Sequence, residues 1–379
     1  MKYMGSKRAM LENGLGNLLR SESKSASRIV DLFCGGASVA WFAATKLDRK
    51  VVAVDLQRYA AVLARAVVCR TSIILMDEVE RQWFVPAESA RAKMWGWSEA
   101  SDLDSSGFNT GVWRKRAQQL CEAGIAAKTS IIWNCYGGHY FSPTQALSLD
   151  AMLRSLPERG QMRELCLAAL IIAASQCVAA PGHTAQPFKA TRTAAPYLRE
   201  AWKRDVFQYA RRAAQELCPL HAMKRGGARV GDANAVATTL NDHDLVFLDP
   251  PYSGVHYSRF YHVLETIARG QCGPVSGVGR YPPSEERPVS AFSRKGESVA
   301  AMRQLLATLS DRGCSIVLTF PTDDCSNGLS GEIVEEMAAQ SFRVRRRTVK
   351  TRFSTLGGNK SNRVARKVSD ELMLVLKPH

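Results

Sequence analysis

The chain has 379 residues, 46% of them apolar, and a formal net charge of +16. Its length suggests two domains, and no apolar run approaches the roughly 18 residues that a membrane span requires. The ten cysteines are scattered without any C-x-x-C pair, which argues against a zinc site and a disulfide scaffold, so we predict a cytoplasmic protein with reduced thiols, no metal and no membrane contact.

The first 70 residues predict a β-loop-α-β-α unit. Residues 29–33 and 51–55 are short branched apolar runs typical of buried strands, and 39–46 and 59–68 have helical patterns. Strands that alternate with helices favour a parallel sheet, and therefore an α/β fold.

A candidate cofactor site follows the first of these strands. Gly35 and Gly36 lie at a strand-to-helix turn, where the backbone can approach a ligand closely. The chain has neither a dinucleotide fingerprint nor a phosphate loop. Asp55 ends the second strand 19 residues after Gly36, close to the ~20-residue interval at which an acid bonds ribose hydroxyls. A nucleoside cofactor without a pyrophosphate fits this pattern, and S-adenosylmethionine has that description.

The middle of the chain changes character. Strand signals lapse between about residues 71 and 225 and resume near residue 245, so we predict a catalytic domain formed by 1–70 and 226–379 with a mainly helical insertion at 71–225. A loop is expected at 101–111. The remaining predicted elements are helices at 112–126, 144–156, 160–180, 196–218 and 301–311, strands at 245–249 and 315–320, and an antiparallel edge hairpin that joins 342–350 to 371–376.

The strongest chemical signal is the sequence Asp249-Pro250-Pro251-Tyr252, which directly follows a predicted strand. The two prolines prevent further ladder pairing and make the chain leave the sheet stiffly. An acid, a carbonyl and an aromatic ring are thus held at the carboxyl end of a strand, where open α/β sheets bind ligands. The carboxylate and carbonyl can accept the hydrogens of an exocyclic amine, and the ring can stack on the attached base.

A basic tract lies near the end of the chain. Residues 341–367 contain ten Lys or Arg and no acid. Apolar residues are interleaved with the charges, which favours a folded segment over a disordered tail. Such a patch is suited to phosphate binding and counterion release, so we predict a nucleic-acid partner.

Several of these segments together resemble the Dam-like class of N6-adenine DNA methyltransferases. The resemblance covers roughly 1–70 and 226–379, while the insertion matches only in position and helical character. The segments that carry it are Lys2 to Lys7, Asp31 to Ser38, Asp55, Gly231-Asp232, Asp249 to Tyr252, Val344-Arg345-Arg346, Gly357-Gly358 and Arg366 to Leu372.

This resemblance implies a Rossmann-like methyltransferase sheet with an inserted target-recognition domain. It implies methyl transfer from S-adenosylmethionine to N6 of an adenine flipped out of double-stranded DNA, by a monomer with a possible restriction or phage-defence partner. The expected residues are Asp249, Pro250 and Tyr252 for catalysis; Tyr3, Lys7, Asp31, Phe33, Gly35, Asp55, Asp232 and Asp249 for the cofactor; and Arg345, Arg346, Arg347, Lys350 and Arg352 for DNA.

Two alternatives remain open from the residues alone. An RNA methyltransferase acting on an exocyclic amine would share the basic charge and the Asp249 motif. A DNA-binding subunit that has lost its cofactor would keep only the fold. Individual assignments also have plainer interpretations: Lys7 as a surface lysine, Asp232 as a turn acid, and Tyr257 to His262 as a helix start instead of part of the base pocket.

Overall fold

A computed structural model describes residues 7–123, 130–354 and 366–379. The chain divides into two compact units. One comprises Met4–Thr71, His221–Tyr257 and Pro288–His379, which we call the sheet unit. The other comprises Ser72–Leu220 and Ser258–Arg287, which we call the helical unit.

The sheet unit contains a seven-stranded sheet with the order β3-β2-β1-β4-β5-β7-β6. The first five strands of this order pair in parallel, whereas β7 is antiparallel to both of its neighbours. The strands are β1 (Arg28–Asp31), β2 (Lys50–Asp55), β3 (Gly227–Val230), β4 (Asp244–Leu248), β5 (Ser315–Pro321), β6 (Phe342–Ser354) and β7 (Arg366–Pro378).

Helices make up most of the rest of the described chain. They are α1 (Arg8–Met10), α2 (Gly16–Glu22), α3 (Ser38–Lys46), α4 (Arg58–Val68), α5 (Met76–Val79), α6 (Val85–Ala92), α7 (Trp97–Ser105), α8 (Thr110–Ala123), α9 (Ile131–Tyr136), α10 (Pro143–Arg154), α11 (Gly160–Cys177), α12 (Ala195–Trp202), α13 (Val206–Leu217), α14 (Ala233–Ala237), α15 (Tyr257–Arg269), α16 (Ser298–Asp311) and α17 (Gly331–Ala339).

Both faces of the central strands are buried. Alternate residues such as Val30 and Val246 pack in one cluster with α14, α16 and α17. The intervening residues, among them Ile29 and Leu245, are equally inaccessible, and α3 and α4 pack along β1 to β3. Burial on both sides explains why these strands are continuously apolar instead of alternating.

The helical unit is built around α11, whose residues are buried on nearly all sides. Side chains satisfy backbone groups at the starts of three other helices. Ser142 forms a capping box with Gln145 at the start of α10, and Asp205 caps α13. The Asp150 carboxylate, which is fully buried, accepts hydrogen bonds from the backbone N–H groups of Ile132 and Trp133 at the start of α9. These contacts satisfy helix-end donors that lack intrahelical partners.

The structure confirms the expected α/β architecture, the parallel pairing of the first two strands and the hairpin of 342–350 with 371–376. Two expectations are wrong. The predicted helix 196–218 is divided into α12 and α13, because Asp205 caps a new helix. Residues 101–105 and 110–111 of the predicted loop 101–111 belong to α7 and α8. Serine and aspartate there lowered the helical signal, but burial of Ala100 and packing of Leu103 stabilise α7.

The hairpin has a role in the sheet that its sequence did not indicate. Strand β7 is interior because it also pairs with β5, so of the two hairpin strands β6 is the one at an edge of the described sheet. In the described residues, no helix is long and apolar enough to cross a membrane.

Candidate active site

Three acidic residues meet at the carboxyl edge of the sheet. Asp55 ends β2 and Asp31 ends β1, while Asp249 directly follows β4. These strands are adjacent and parallel, so their carboxyl ends lie at one edge. Burial raises the pKa of Asp31 well above its ordinary value, and the charges of Asp249 and Asp55 raise it further. Placing three acidic side chains close together lowers the stability of the fold, and such clusters are typical of functional sites.

The glycine turn after β1 is tied to Asp55. The Asp55 carboxylate accepts hydrogen bonds from the N–H of Gly35 at 2.8 Å and of Gln57 at 2.9 Å. Gly35 has a φ of 46°, in the left-handed region that glycine adopts readily. Burial raises the pKa of Asp55 to about 6, although these hydrogen bonds favour its charged form. Asp55 therefore shapes the turn that was predicted to hold a cofactor.

Within the described residues, Asp249 is anchored through its Oδ1 alone. Its Oδ1 lies 2.9 Å from the Lys7 ammonium and accepts a hydrogen bond from the Thr319 hydroxyl at 3.1 Å. Its Oδ2 has no hydrogen-bond partner among the described residues. Burial raises the pKa of Asp249 to about 6, against the lowering effect of Lys7. One carboxylate oxygen thus remains for a ligand.

Lys7 is shared between two carboxylates. Its Nζ lies 2.6 Å from Glu371 Oε1 as well as 2.9 Å from Asp249. Because β7 is antiparallel to β5, Glu371 lies opposite Pro321 and reaches the edge where the parallel strands end. Burial alone would lower the pKa of Lys7, but the two carboxylates outweigh it and raise that pKa above its ordinary value. Lys7 is 3% exposed, so it is not the surface lysine considered above.

The loop after β4 is held by hydrogen bonds from a residue that the sequence analysis did not single out. The Asn327 amide, which is fully buried, donates hydrogen bonds to the carbonyls of Pro251 and Phe292, both at 2.9 Å. Nearby, the N–H of Gly254 donates to the Ser326 hydroxyl at 2.9 Å. The carbonyl of Pro250 accepts no hydrogen bond from the described residues. The loop is therefore fixed while the carbonyl of interest is left open.

Aromatic side chains line the same region. Tyr252 and Phe33 are partly buried and pack against the core of the sheet unit, and the Phe33 ring meets Phe292 edge to face at 5.1 Å. The Tyr257 side chain is hydrogen-bonded to Tyr252, and burial raises its pKa well above the ordinary value. Tyr257 also begins α15, so the helix-start interpretation of Tyr257 to His262 is confirmed as local structure.

Other predicted cofactor residues are placed differently. Asp232 is exposed and accepts a hydrogen bond from the N–H of Ala235 at 3.0 Å, which caps α14. This is the plainer turn-and-cap geometry, and its cofactor role stays a prediction. Tyr3 lies outside the described residues.

Two consecutive arginines of the basic tract are paired with acids. Arg345 lies 2.6 Å from Glu22, which also holds Lys377 at 3.0 Å, and Arg346 lies 3.0 Å from Glu335. Arg347 is exposed and has no acidic partner among the residues that the structure describes. The side chains of the other two predicted contacts, Lys350 and Arg352, lie outside the described part.

Fold and site together define a Rossmann-like, S-adenosylmethionine-dependent methyltransferase. Residues 3–90 and 107–277, well over half of the chain, match the model of the D12 class N6 adenine-specific DNA methyltransferase family, and the chain belongs to that family. No curated protein gives a significant match. The protein is therefore an enzyme that methylates adenine in DNA site-specifically with S-adenosylmethionine as methyl donor.

The residues present fit this cofactor. The left-handed backbone at Gly35 opens the turn after β1, and the two oxygens of Asp55 retain acceptor capacity beyond the two N–H groups that they bind. The surrounding carboxylates suit a positively charged sulfonium. The match also includes the Asp249 motif, whereas Glu371 lies outside both matched stretches.

Proposed function

We propose that Asp249 Oδ2 and the Pro250 carbonyl accept the two hydrogens of the adenine amine, and that Tyr252 stacks on the adenine after it has been flipped out of duplex DNA. The observation that carries this proposal is the one-sided anchoring of Asp249: Oδ1 is bound by Lys7 and Thr319, while Oδ2 has no partner in the part of the chain that the structure describes. Flipping costs a few kcal/mol, and stacking on Tyr252 offsets ~1–3 kcal/mol of that.

The chemical task of these residues is to make a poor nucleophile attack. The lone pair of an aryl amine is delocalised into the purine. Two acceptors that draw its hydrogens out of the ring plane favour a pyramidal nitrogen and orient the lone pair, which stabilises the transition state more than the ground state. The cofactor would leave as a neutral thioether once its methyl group is bonded to N6, and the proton that N6 loses passes along its hydrogen bond to Asp249 Oδ2 and from there to solvent. No covalent enzyme intermediate is needed.

For the cofactor, we assign recognition of the ribose hydroxyls to Asp55 and close backbone contact to Gly35, with Phe33 beside them. S-adenosylmethionine supplies a methyl group made electrophilic by its sulfonium. Lys7 was predicted to bind the cofactor. Its ammonium is already bound to Asp249 and Glu371, so we assign it to the catalytic carboxylate instead.

DNA binding is divided between two regions in this proposal. The insertion, predicted at 71–225, reads the sequence, and the basic strand β6 contributes phosphate contacts through Arg347, the arginine of its triplet that lacks an acidic partner in the described residues. Activity as a monomer, a restriction or phage-defence partner and a cytoplasmic location remain predictions.

The experiment compares Asp249→Asn with Asp242→Asn, an exposed acid at the opposite end of β4. We expect Asp249→Asn to lose at least ~10²-fold in methylation of duplex DNA and the control to keep wild-type turnover. Structured RNA serves as the second substrate, and we expect no methylation of it. Near-normal turnover by Asp249→Asn would refute the assigned mechanism, and RNA methylated as fast as DNA would refute the assigned substrate.

A further inference from the structure

Glu371 is a buried charge that the proposed reaction does not yet use. It is 1% exposed, and its partner is the Lys7 ammonium at 2.6 Å. Burying an ionised carboxylate is expensive unless it is paired. A shorter or neutral residue would have avoided this cost, so we expect the Glu371 carboxylate to have a function.

The charges around Lys7 do not balance. One ammonium faces two carboxylates, Asp249 and Glu371, so with all three ionised this set carries a net charge of −1. Two further titratable groups face Asp249. The pKa values of Asp31 and Tyr257 are both raised, mainly by burial, which favours their neutral forms. Without Glu371, Lys7 and Asp249 would form a neutral pair.

We propose that Glu371 is a positioning residue for methyl transfer: it neutralises Lys7 and holds it on Asp249 Oδ1, so that the site carries a net negative charge and Asp249 presents Oδ2 to the substrate. The inference rests on the proposed roles of Asp249. It extends beyond the family match, because β7 lies outside the matched stretches.

The chemistry explains why a net negative site helps. As N6 is methylated, it gains positive charge beside the Asp249 oxygen that accepts its hydrogen, so a negative charge at this position in a poorly solvated site stabilises the transition state more than the ground state. A Lys7 that was neutralised only by Asp249 would cancel much of this effect. Glu371 contacts neither reacting atom, so its influence passes through Lys7.

The decisive variant is Glu371→Gln, which keeps the shape and removes the charge. We expect kcat on duplex DNA to fall about 10- to 100-fold, with little change in KM for DNA. The charge of Glu371 raises the pKa of Asp249, so in Glu371→Gln the loss of kcat on acidification should occur at a lower pH than in the wild type. Glu371→Asp restores the charge and should return this pH dependence of kcat towards that of the wild type.

A double-mutant cycle separates this role from a purely structural one. If Glu371 acts through Lys7, Glu371→Gln should add little to the loss caused by Lys7→Met. Glu22→Gln is the matched control, because Glu22 also pairs with two cations of the same hairpin, Arg345 and Lys377, but away from Asp249. It should leave the profile unchanged.

Two readouts do not depend on turnover. Calorimetry should show weaker binding of S-adenosylmethionine to Glu371→Gln, and thermal unfolding reports the stability of each variant. Should Glu371→Gln fail to fold, the Lys7→Met/Glu371→Gln double variant removes the buried charge pair together and should match Lys7→Met in kcat. A wild-type pH limb in Glu371→Gln, or additive losses in the cycle, would overturn the proposal. Activity retained by Asp249→Asn would instead overturn the proposed function itself.

Discussion

Replacing Asp55 by Asn separates the cofactor role of this residue from its structural role. The carboxylate accepts hydrogen bonds from the N–H groups of Gly35 and Gln57. An amide offers one acceptor oxygen, so one N–H would face an NH₂ group and lose a bond worth about 1–3 kcal/mol. Removing the charge acts in the opposite direction. Raising the pKa from 3.8 to about 6 corresponds to roughly 3 kcal/mol of destabilisation of the ionised folded state.

The two effects nearly cancel above pH 7, so we expect the unfolding free energy of Asp55→Asn to stay within about 2 kcal/mol of wild type there. The pH dependence has a definite sign. A carboxyl whose pKa is raised on folding stabilises the fold below its unfolded pKa, and this contribution is lost as the pH rises through about 6. Wild type should therefore gain stability between pH 7 and pH 4, and Asp55→Asn should gain less.

The affinity for S-adenosylmethionine should fall by about 1.5–3 kcal/mol, which is roughly 10- to 150-fold in Kd. Calorimetry of the binding and denaturant unfolding from pH 4 to pH 8 measure both quantities. Asp232→Asn is the control, because asparagine caps a helix as well as aspartate does and should leave the affinity unchanged if Asp232 is only a cap. An unchanged Kd in Asp55→Asn would show that another acid binds the ribose.

Further outcomes follow from the same contacts. Asn327→Ala leaves the backbone carbonyls of Pro251 and Phe292 without their donor, and denaturation should show an unfolding free energy lower by about 2 kcal/mol. Because the Asp249 loop is then less well held, a turnover assay should also show a lower kcat. Thr319→Val removes one hydrogen bond to Asp249 and should reduce kcat by about tenfold, measured at saturating DNA. Methylation should decline below about pH 6 because Asp249 must be ionised, which a kcat profile checks. Arg347→Glu should weaken binding of unrelated DNA sequences equally and flatten the salt dependence, whereas Arg346→Ala should change both less; a salt titration of binding compares them.

The sequence was a sufficient guide to the central strands of the sheet, because these strands are buried on both faces. Continuous apolar runs at 29–33, 51–55 and 245–249 mark such strands directly. Strand β3 was not predicted, since Gly227 to Val230 are four residues of which two are exposed, and no strong pattern can form over that length. The hairpin was expected, but the second partner of β7 was not, because pairing of β7 with β5 is a long-range contact that no local pattern encodes.

The residues of the site divide in the same way. Asp55 and Asp249 were found because each follows a strand, and the carboxyl edge is where parallel sheets bind ligands. Asn327 and Thr319 carry no such signal. Their importance depends on hydrogen bonds to the Asp249 loop and to Asp249 itself, about 70 residues away in sequence. Glu371 follows Asp370 and directly precedes the apolar run 372–376 of β7, so the local pattern did not indicate a buried acid in an interior strand, where an unpaired charge is costly.

The basic tract shows the limit of reading charge from sequence. A run of ten basic residues without an acid predicts phosphate binding only if the acids that could neutralise it lie elsewhere. In the folded chain, Glu22 and Glu335 come from helices before and beside the hairpin and pair with Arg345 and Arg346. Since side chains alternate along β6, Arg345 and Arg347 share a face, yet only the former meets an acid among the described residues. The effective positive charge of this strand is therefore smaller than its composition indicates, and a DNA contact from it depends on Arg347 more than on its neighbours.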